Sequence, residues 1–282
     1  MTNIKTYTLE ELQTLNHNYT EVDLVVENIN LLREQGVEIL LESPSLQEDK
    51  RYLVPIKYME KCGFINHMAQ VVIQPIYDEY KEDDVKSSST DSSLIRVAKK
   101  QDIVDYLFMR VHENQFVWGV INAKGERVLP VMYRCIGISD TQDVFSVQQL
   151  RPFYQYGVRG LYNNEIIPFG RFDNISSFVK GFARINFNNQ AIIDLQGNVI
   201  IQEGVFDKIW NLSAKYDTIV CEKGGVRYTI TFEMLRHLQQ EYLTTGQIKT
   251  SIEEIMEYQE YLQKDFPKGW KTIQLSENDF NK

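Results

Sequence analysis

The chain has 282 residues, enough for one large domain or two ordinary ones, and its 43% hydrophobic and 24% charged content is that of a soluble globular protein. A formal net charge of −9 argues against general binding to phosphate backbones or anionic lipid, so no nucleic acid and no membrane is expected, and a basic partner is favoured. The opening "MTNIKTYTLEELQT" lacks an apolar secretory core and no run approaches the ~18 apolar residues of a membrane span, which predicts a cytoplasmic protein.

From the N-terminus, "YTLEELQTL" places Thr8 three residues before Glu11. That is a capping box, in which each side chain satisfies the other residue's backbone amide, and it predicts a first helix. "EVDLVVENINLLREQG" predicts a second, with Arg33 late and Gly36 where a C-terminal glycine sits. Residues 1–50 therefore read as an N-terminal helical cap.

Residues 51–230 read as a β-repeat array. The stretches "CGFINHMAQVVIQPIYDE" (Cys62 to Glu79), "WGVINAKGERVLPVMYRC" (Trp118 to Cys135), "RGLYNNEIIPFGRFDN" (Arg159 to Asn174) and "QAIIDLQGNVIIQEGVFDK" (Gln190 to Lys208) share one grammar. It runs: small residue, two apolar residues, Asn or Asp, turn, apolar pair or triplet, aromatic. The aligned small residues are Gly63, Gly119, Gly160 and Ala191, and the aligned turn-opening residues are Asn66, Asn122, Asn163 and Asp194. Asn and Asp bond their own backbone and tolerate left-handed conformations, while Gly125 and Gly197 supply positive φ, so each stretch closes a β-hairpin. Tyr77, Tyr133, Phe172 and Phe206 follow the hairpins and read as packing between stacked units.

Ahead of each glycine lies another alternating segment: Arg51 to Tyr58, Tyr106 to His112, Asp143 to Gln149 and Gly181 to Phe187. Period-two alternation marks these as strands, which makes the unit three antiparallel strands. "DTIVCEKGGVRYTI" (Asp217 to Ile230) is an incomplete fifth copy with Gly225 in the glycine position. The first copy is widened by "KEDDVKSSSTDSS" (Lys81 to Ser93), which reads as a solvated, tolerated insertion.

Residues 231–282 change character again. "TFEMLRHLQQEYL" carries Phe232, Leu235, Leu238 and Tyr242 at near-helical spacing, and Ser251 precedes Glu254 by three in a further capping box. Helical caps at both ends would cover the strand edges that a repeat stack leaves open.

Cys62, Cys135 and Cys221 are odd in number and widely spaced, so neither a disulfide framework nor a metal knuckle is expected, and they read as buried free thiols. His17, His67, His112 and His237 are scattered, and phosphate-loop, dinucleotide, zincin and hydrolase-elbow motifs are absent. No catalytic residue, metal or cofactor is expected. Asp78, Asp173 and Asp207 recur at one repeat position and form a candidate surface row. Paired carboxylates would suit glycoside hydrolysis, whereas an Asp that bonds turn amides once per repeat needs no chemistry at all.

These motifs resemble the WG-repeat (KWG-repeat) family of bacterial arrays, whose unit centres on Trp-Gly, two hydrophobic residues and Asp or Asn. The resemblance covers roughly Arg51 to Ile230, and Trp118-Gly119 alone keeps the literal dipeptide. It implies a β-rich array and supplies no catalytic residues. The expected fold is thus mainly β, an antiparallel three-stranded repeat array with α-helical N- and C-terminal segments. Unequal insertions favour an open, solenoid-like stack over a propeller. The leading functional expectation is a non-catalytic scaffold binding a protein or other macromolecule. The alternatives are an immunity-type protein neutralising a basic toxin, and a carbohydrate-binding or carbohydrate-active protein.

Overall fold

A computed structural model describes residues 3–40, 53–81, 84, 93–105, 110–150, 154–186, 190–210, 212, 215 and 217–251. The Ser251–Glu254 capping box and most of the Lys81–Ser93 insertion lie outside them. The fold is mainly antiparallel β, with helices toward both ends of the described chain.

Helix α1 (Leu9–Leu15) starts at Thr8, and both capping-box bonds form, with Glu11 N donating to Thr8 Oγ1 at 3.2 Å and Thr8 N to Glu11 Oε2 at 2.6 Å. Helix α2 (Glu21–Glu34) has its own box, Thr20 with Asp23, which the sequence reading missed. Its Leu24, Val25 and Leu32 are buried. It closes through Gly36 at φ 78°, after which Val37 N reaches back to Leu32 O at 2.9 Å.

The described chain falls into two compact units, one of Met1–Ile136, Gln148–Tyr154 and Leu161–Asn164, the other of Gly137–Val147, Gln155–Gly160 and Glu165–Lys282. In the first, β1 (Glu38–Ile39), β2 (Val54–Tyr58), β3 (Lys61–Ile65) and β4 (Val71–Tyr77) pair in sequence order. The N-terminal segment is therefore not wholly helical, since β1 adds a strand through Glu38↔Lys57 and Ile39↔Ile56. Beneath α2, Val25 and Leu32 pack with Ile56 and Ile65. Next come β5 (Glu79–Tyr80), β6 (Leu94–Asp105), β7 (Arg110–Asn122) and β8 (Arg127–Ile138), again neighbours in order.

The second copy corrects the sequence reading. Its first strand is β6, not Tyr106 to His112: Tyr106–Met109 are outside the described residues, and Arg110–His112 belong to β7. The β6–β7 ladder runs from Leu94↔Asn122 out to Asp105↔Arg110. In the first copy the corresponding hairpin turns immediately after Tyr58↔Lys61.

β9 (Val144–Gln149), of which Val144–Val147 belong to the second unit, is followed there by β10 (Tyr156–Gly160) and β11 (Glu165–Phe172), and the three are neighbours in order. They are followed by β12 (Phe182–Ile185), β13 (Ala191–Asp194) and β14 (Val199–Ile201), then β15 (Lys208–Ile209), β16 (Thr218–Lys223) and β17 (Val226–Thr231). Helix α3 (Phe232–Thr245) continues from β17 with Thr231 as N-cap, its Oγ1 accepting Met234 N at 3.1 Å. Phe232, Met234, Leu235 and Leu238 enter the same core as Ile209, Ile219 and Ile230. Each such burial contributes roughly 1.5–3 kcal/mol, more than the ~1 kcal/mol of a cap, so tertiary packing rather than local signals holds α3 in place.

Candidate functional site

The positions that recur in the sequence meet in a recurring register. Phe64↔Ile73, Val120↔Leu129, Val158↔Ile167 and Ile192↔Ile201 pair the middle and third strands of four copies at one constant offset. The pairs Ile65↔Val71, Ile121↔Arg127, Arg159↔Glu165 and Ile193↔Val199 do the same nearer the turn. Farther out the third strand bulges, and the next partners are Cys62↔Tyr77, Trp118↔Tyr133 and Tyr156↔Phe172. Pro75, Pro130 and Pro168 lie within these bulges, where a residue with no N–H costs no ladder bond.

The bulge explains the glycine. A Cβ on Gly63 would stand 2.5 Å from Ile73 O and 2.7 Å from Pro75 N, and one on Gly119 would stand 2.8 Å from Val131 N and 2.9 Å from Leu129 O. In the third copy that slot belongs to Gly157, whose Cβ would meet Ile167 O at 3.0 Å. Gly160, aligned with the glycines from sequence, is corrected to the turn-opening slot, and Asn163, aligned with the turn openers, is corrected to the left-handed slot of that turn at φ 66°. The proper match sets "YGVRGLYNNEIIP" against "WGVINAKGERVLP".

The other copies complete the rule. In the fourth, β14 ends at Ile201 and Ala191 occupies the slot. In the fifth no third strand follows β17 among the described residues, and the slot holds Tyr228. Gly225 does not occupy it: with Gly224 it forms the tight turn between β16 and β17, at φ 59° and 78°. The small residue is needed only where a bulged strand returns across it.

The turns repeat their chemistry atom for atom. Asn66 Oδ1 accepts Met68 N and Gln70 N at 3.0 Å each, Asn122 Oδ1 accepts Lys124 N at 3.1 Å and Glu126 N at 2.9 Å, and Asp194 Oδ1 accepts Gln196 N at 3.0 Å and Asn198 N at 2.9 Å. The left-handed residue that follows is Ala69, Gly125 or Gly197. Asp194 is fully buried, and its other oxygen takes Asn198 Nδ2 at 2.9 Å and Gln239 Nε2 of α3 at 3.1 Å. Thr231 stands in this slot in the fifth copy, where its hydroxyl caps a helix instead.

Of the aromatics, Tyr77, Tyr133 and Phe206 are buried and Phe172 is half-buried. Lys99 lies over the Tyr77 ring at 5.8 Å, Lys81 over Trp118 at 4.7 Å and Arg171 over Phe172 at 5.2 Å. Asp78 N donates to Ala98 O at 2.9 Å while Asp78 Oδ2 accepts Lys100 N at 2.9 Å. Asp207 repeats this on the tip of β16, N to Glu222 O at 2.8 Å and Oδ2 from Gly224 N at 2.6 Å. Each therefore clamps a third strand's exit to the next hairpin. Asp173 is exposed, and its N–H donates to Asn186 Oδ1 at 3.2 Å. Burial alone would raise the Asp78 carboxyl, but the bond from Lys61 Nζ, the Lys100 amide and both lysine charges outweigh it and hold the group below its ordinary range. A general acid needs the opposite shift.

Neighbouring copies join through these turns. A Cβ on Gly125 would lie 2.9 Å from Ile73 Cγ1, Tyr133 Oη bonds Asn163 Oδ1, and Arg171 Nη2 donates to Gly197 O at 2.9 Å. The N-terminal segment fills the same role for the first turn: Asn28 Nδ2 bonds Met68 O, and Gln70 Nε2 bonds Tyr7 O, both at 3.1 Å. Gln74 closes two bonds with the Ile4 backbone, each 3.0 Å.

The family model described as WG containing repeat matches residues 63–83 and 163–190. Two stretches of the chain match the WG repeat. The first match opens on Gly63, and the second runs from the left-handed Asn163 to Gln190, just ahead of Ala191. A comparison with curated proteins finds no match. Within the β-repeat array the residues missed by sequence reasoning are Gly157, the three bulge prolines, Tyr228 and Thr231. The prolines and the "YG" dipeptide were the available signals. Among the described residues, no group of three or more His, Cys, Asp or Glu side chains is placed to hold a metal ion, and no helix is long and apolar enough to cross a membrane.

Cys62 and Cys221 are buried, and burial pushes the Cys221 thiol up to about 12. Cys135 departs from the expected buried thiol: it is exposed on β8.

Proposed function

We propose that this protein is a non-catalytic repeat scaffold that works in the cytoplasm and holds a macromolecular partner, a basic protein above all, on the divergent outer positions of its WG repeats. The observation that carries this reading is how the recurring polar groups are used. Asp78 and Asp207 each spend a carboxylate oxygen on a strand or turn amide, and Asn66, Asn122 and Asp194 each spend one on two turn amides. Recurrence of these residues is thus accounted for by folding, which leaves the variable positions as the ones free to differ with a partner. The net charge of −9 favours a cationic protein, steered over a Debye length of about 8 Å at physiological salt. The same charge supports the narrower second reading, an immunity-type protein for a basic toxin.

The test is a pull-down of basic proteins at low and high salt beside a screen for glycoside and phosphoester turnover. Salt-sensitive binding without turnover is expected. Turnover abolished by Asp207→Asn, in a variant that melts like the parent, would overturn the scaffold reading in favour of a carbohydrate-active protein.

A further inference from the structure

The glycine rule bears on one middle strand that, among the described residues, has no third strand. Among the described residues β17 ends its sheet, with β16 on one side and no strand on the other. The corresponding strands β3, β7, β10 and β13 all carry a third strand on that side. An open edge of this kind is a template for strand pairing. The third strands of a second copy, such as Arg127–Tyr133 of β8, have the shape that pairs with a middle strand, and one that comes away from its own β7 can present that edge to β17.

We infer that Tyr228 closes the β17 edge to the bulged third strands of a second copy of this chain. Three copies show what such a strand demands: its bulge brings a carbonyl oxygen to 2.5, 2.9 or 3.0 Å of where a Cβ would stand on Gly63, Gly119 or Gly157. Real Cβ atoms do not tolerate the shorter of these approaches. Tyr228 puts a Cβ there, and behind it a ring whose centroid is 6.5 Å from that of Phe206. The Cβ is fixed to the backbone and cannot swing aside to admit the bulge. The register fixes the equivalence. Asp78 bonds Ala98, the partner of Trp118, and Asp207 bonds Glu222, the partner of Arg227, so Tyr228 follows Arg227 as Gly119 follows Trp118.

The decisive comparison is between two variants that both lose the ring. Tyr228→Gly removes the Cβ and Tyr228→Ala keeps it. The probe is a labelled synthetic peptide of residues Arg127–Tyr133, RVLPVMY, titrated by fluorescence anisotropy against the full-length protein, with light scattering of each protein alone. The glycine variant is expected to bind at least tenfold more tightly than both the parent and the alanine variant, and to self-associate as its concentration rises. Circular dichroism checks folding. Tyr228→Gly is also made together with Thr229→Val, which restores strand propensity lost with the ring. Equal binding by the glycine and alanine variants, or no binding by either glycine-containing protein, would overturn the inference.

Discussion

Replacing Gly119 by alanine tests the bulge at a point where two of the three nearest atoms are backbone. The new Cβ would lie 2.8 Å from Val131 N, 2.9 Å from Leu129 O and 2.7 Å from Val131 Cγ2. The valine methyl can rotate away, but the other two atoms belong to β8, held on either side by Trp118↔Tyr133 and Val120↔Leu129. Relief therefore requires the strand to shift by several tenths of an ångström. Overpacking of this kind costs about 1–3 kcal/mol. Stiffening the unfolded chain returns about 0.4–1 kcal/mol. The expected net loss is about 1–2 kcal/mol, a fall of roughly 0.5 M in the urea midpoint for a chain of this size. Trp118 is adjacent, so tryptophan fluorescence reports the transition directly. The reciprocal change, Ala191→Gly, removes a Cβ that no bulged strand opposes and should also destabilise, by about 1 kcal/mol, through lost burial and added chain freedom. If Gly119→Ala unfolded at or above the parental midpoint, the close approach of the third strand would not be what requires glycine.

Asp78→Asn should cost about 1 kcal/mol at pH 7, a charge-assisted bond partly exposed to solvent. Because the folded carboxyl titrates below its ordinary value, its stabilisation is present above the unfolded value near 4 and is lost as pH falls through the folded one. The difference in melting temperature between parent and variant should therefore narrow as pH falls below about 4, and a gap that stayed constant through acid titration would show that the ionised carboxylate is not its source. Exposed Cys135 should react with a thiol reagent at pH 8 in the folded protein, whereas buried Cys62 and Cys221 should react only in denaturant. Prompt labelling of Cys221 would contradict the depth at which the fold holds it.

How far the sequence revealed this arrangement depended on which interactions were local. The turns at Asn66, Asn122 and Asp194 were legible because one residue's oxygen serves amides two and four positions on, all within a single short stretch. The third copy misled because Arg159 stands in a slot that is apolar in the others, and "Arg-Gly" at 159–160 mimics the motif dipeptide. The structure shows why an arginine is tolerated there: its guanidinium donates to Val158 O and Ile167 O and lies over Phe169. The bulge itself could not be seen locally, since it exists only once two strands are paired, and with it the meaning of Gly157 and Tyr228 stayed hidden. Alternation in Tyr106 to His112 marked strand character without saying how far the hairpin extends, because period two is the same at the base of a ladder and at its tip.

The turn chemistry also sets how these residues can change together over evolutionary time or with chemical ageing. At Asn122 the amide nitrogen donates to Glu126 Oε2 at 2.7 Å, so deamidation to aspartate would set two carboxylates face to face. At Asn66 the partner is Gln70 Oε1 at 3.1 Å, and a half-turn of that glutamine amide would offer its nitrogen to a new carboxylate only by giving up the bond that Nε2 makes to Tyr7 O. The fourth copy already wears the deamidated form, with Asp194 accepting from Asn198 and the donor moved to the other end of the turn. The first and fifth residues of these three turns are thus a donor–acceptor couple whose polarity is reversible only as a pair, with Asn122 held to its amide by Glu126 and Asn66 by the bond that orients Gln70 toward Tyr7 O.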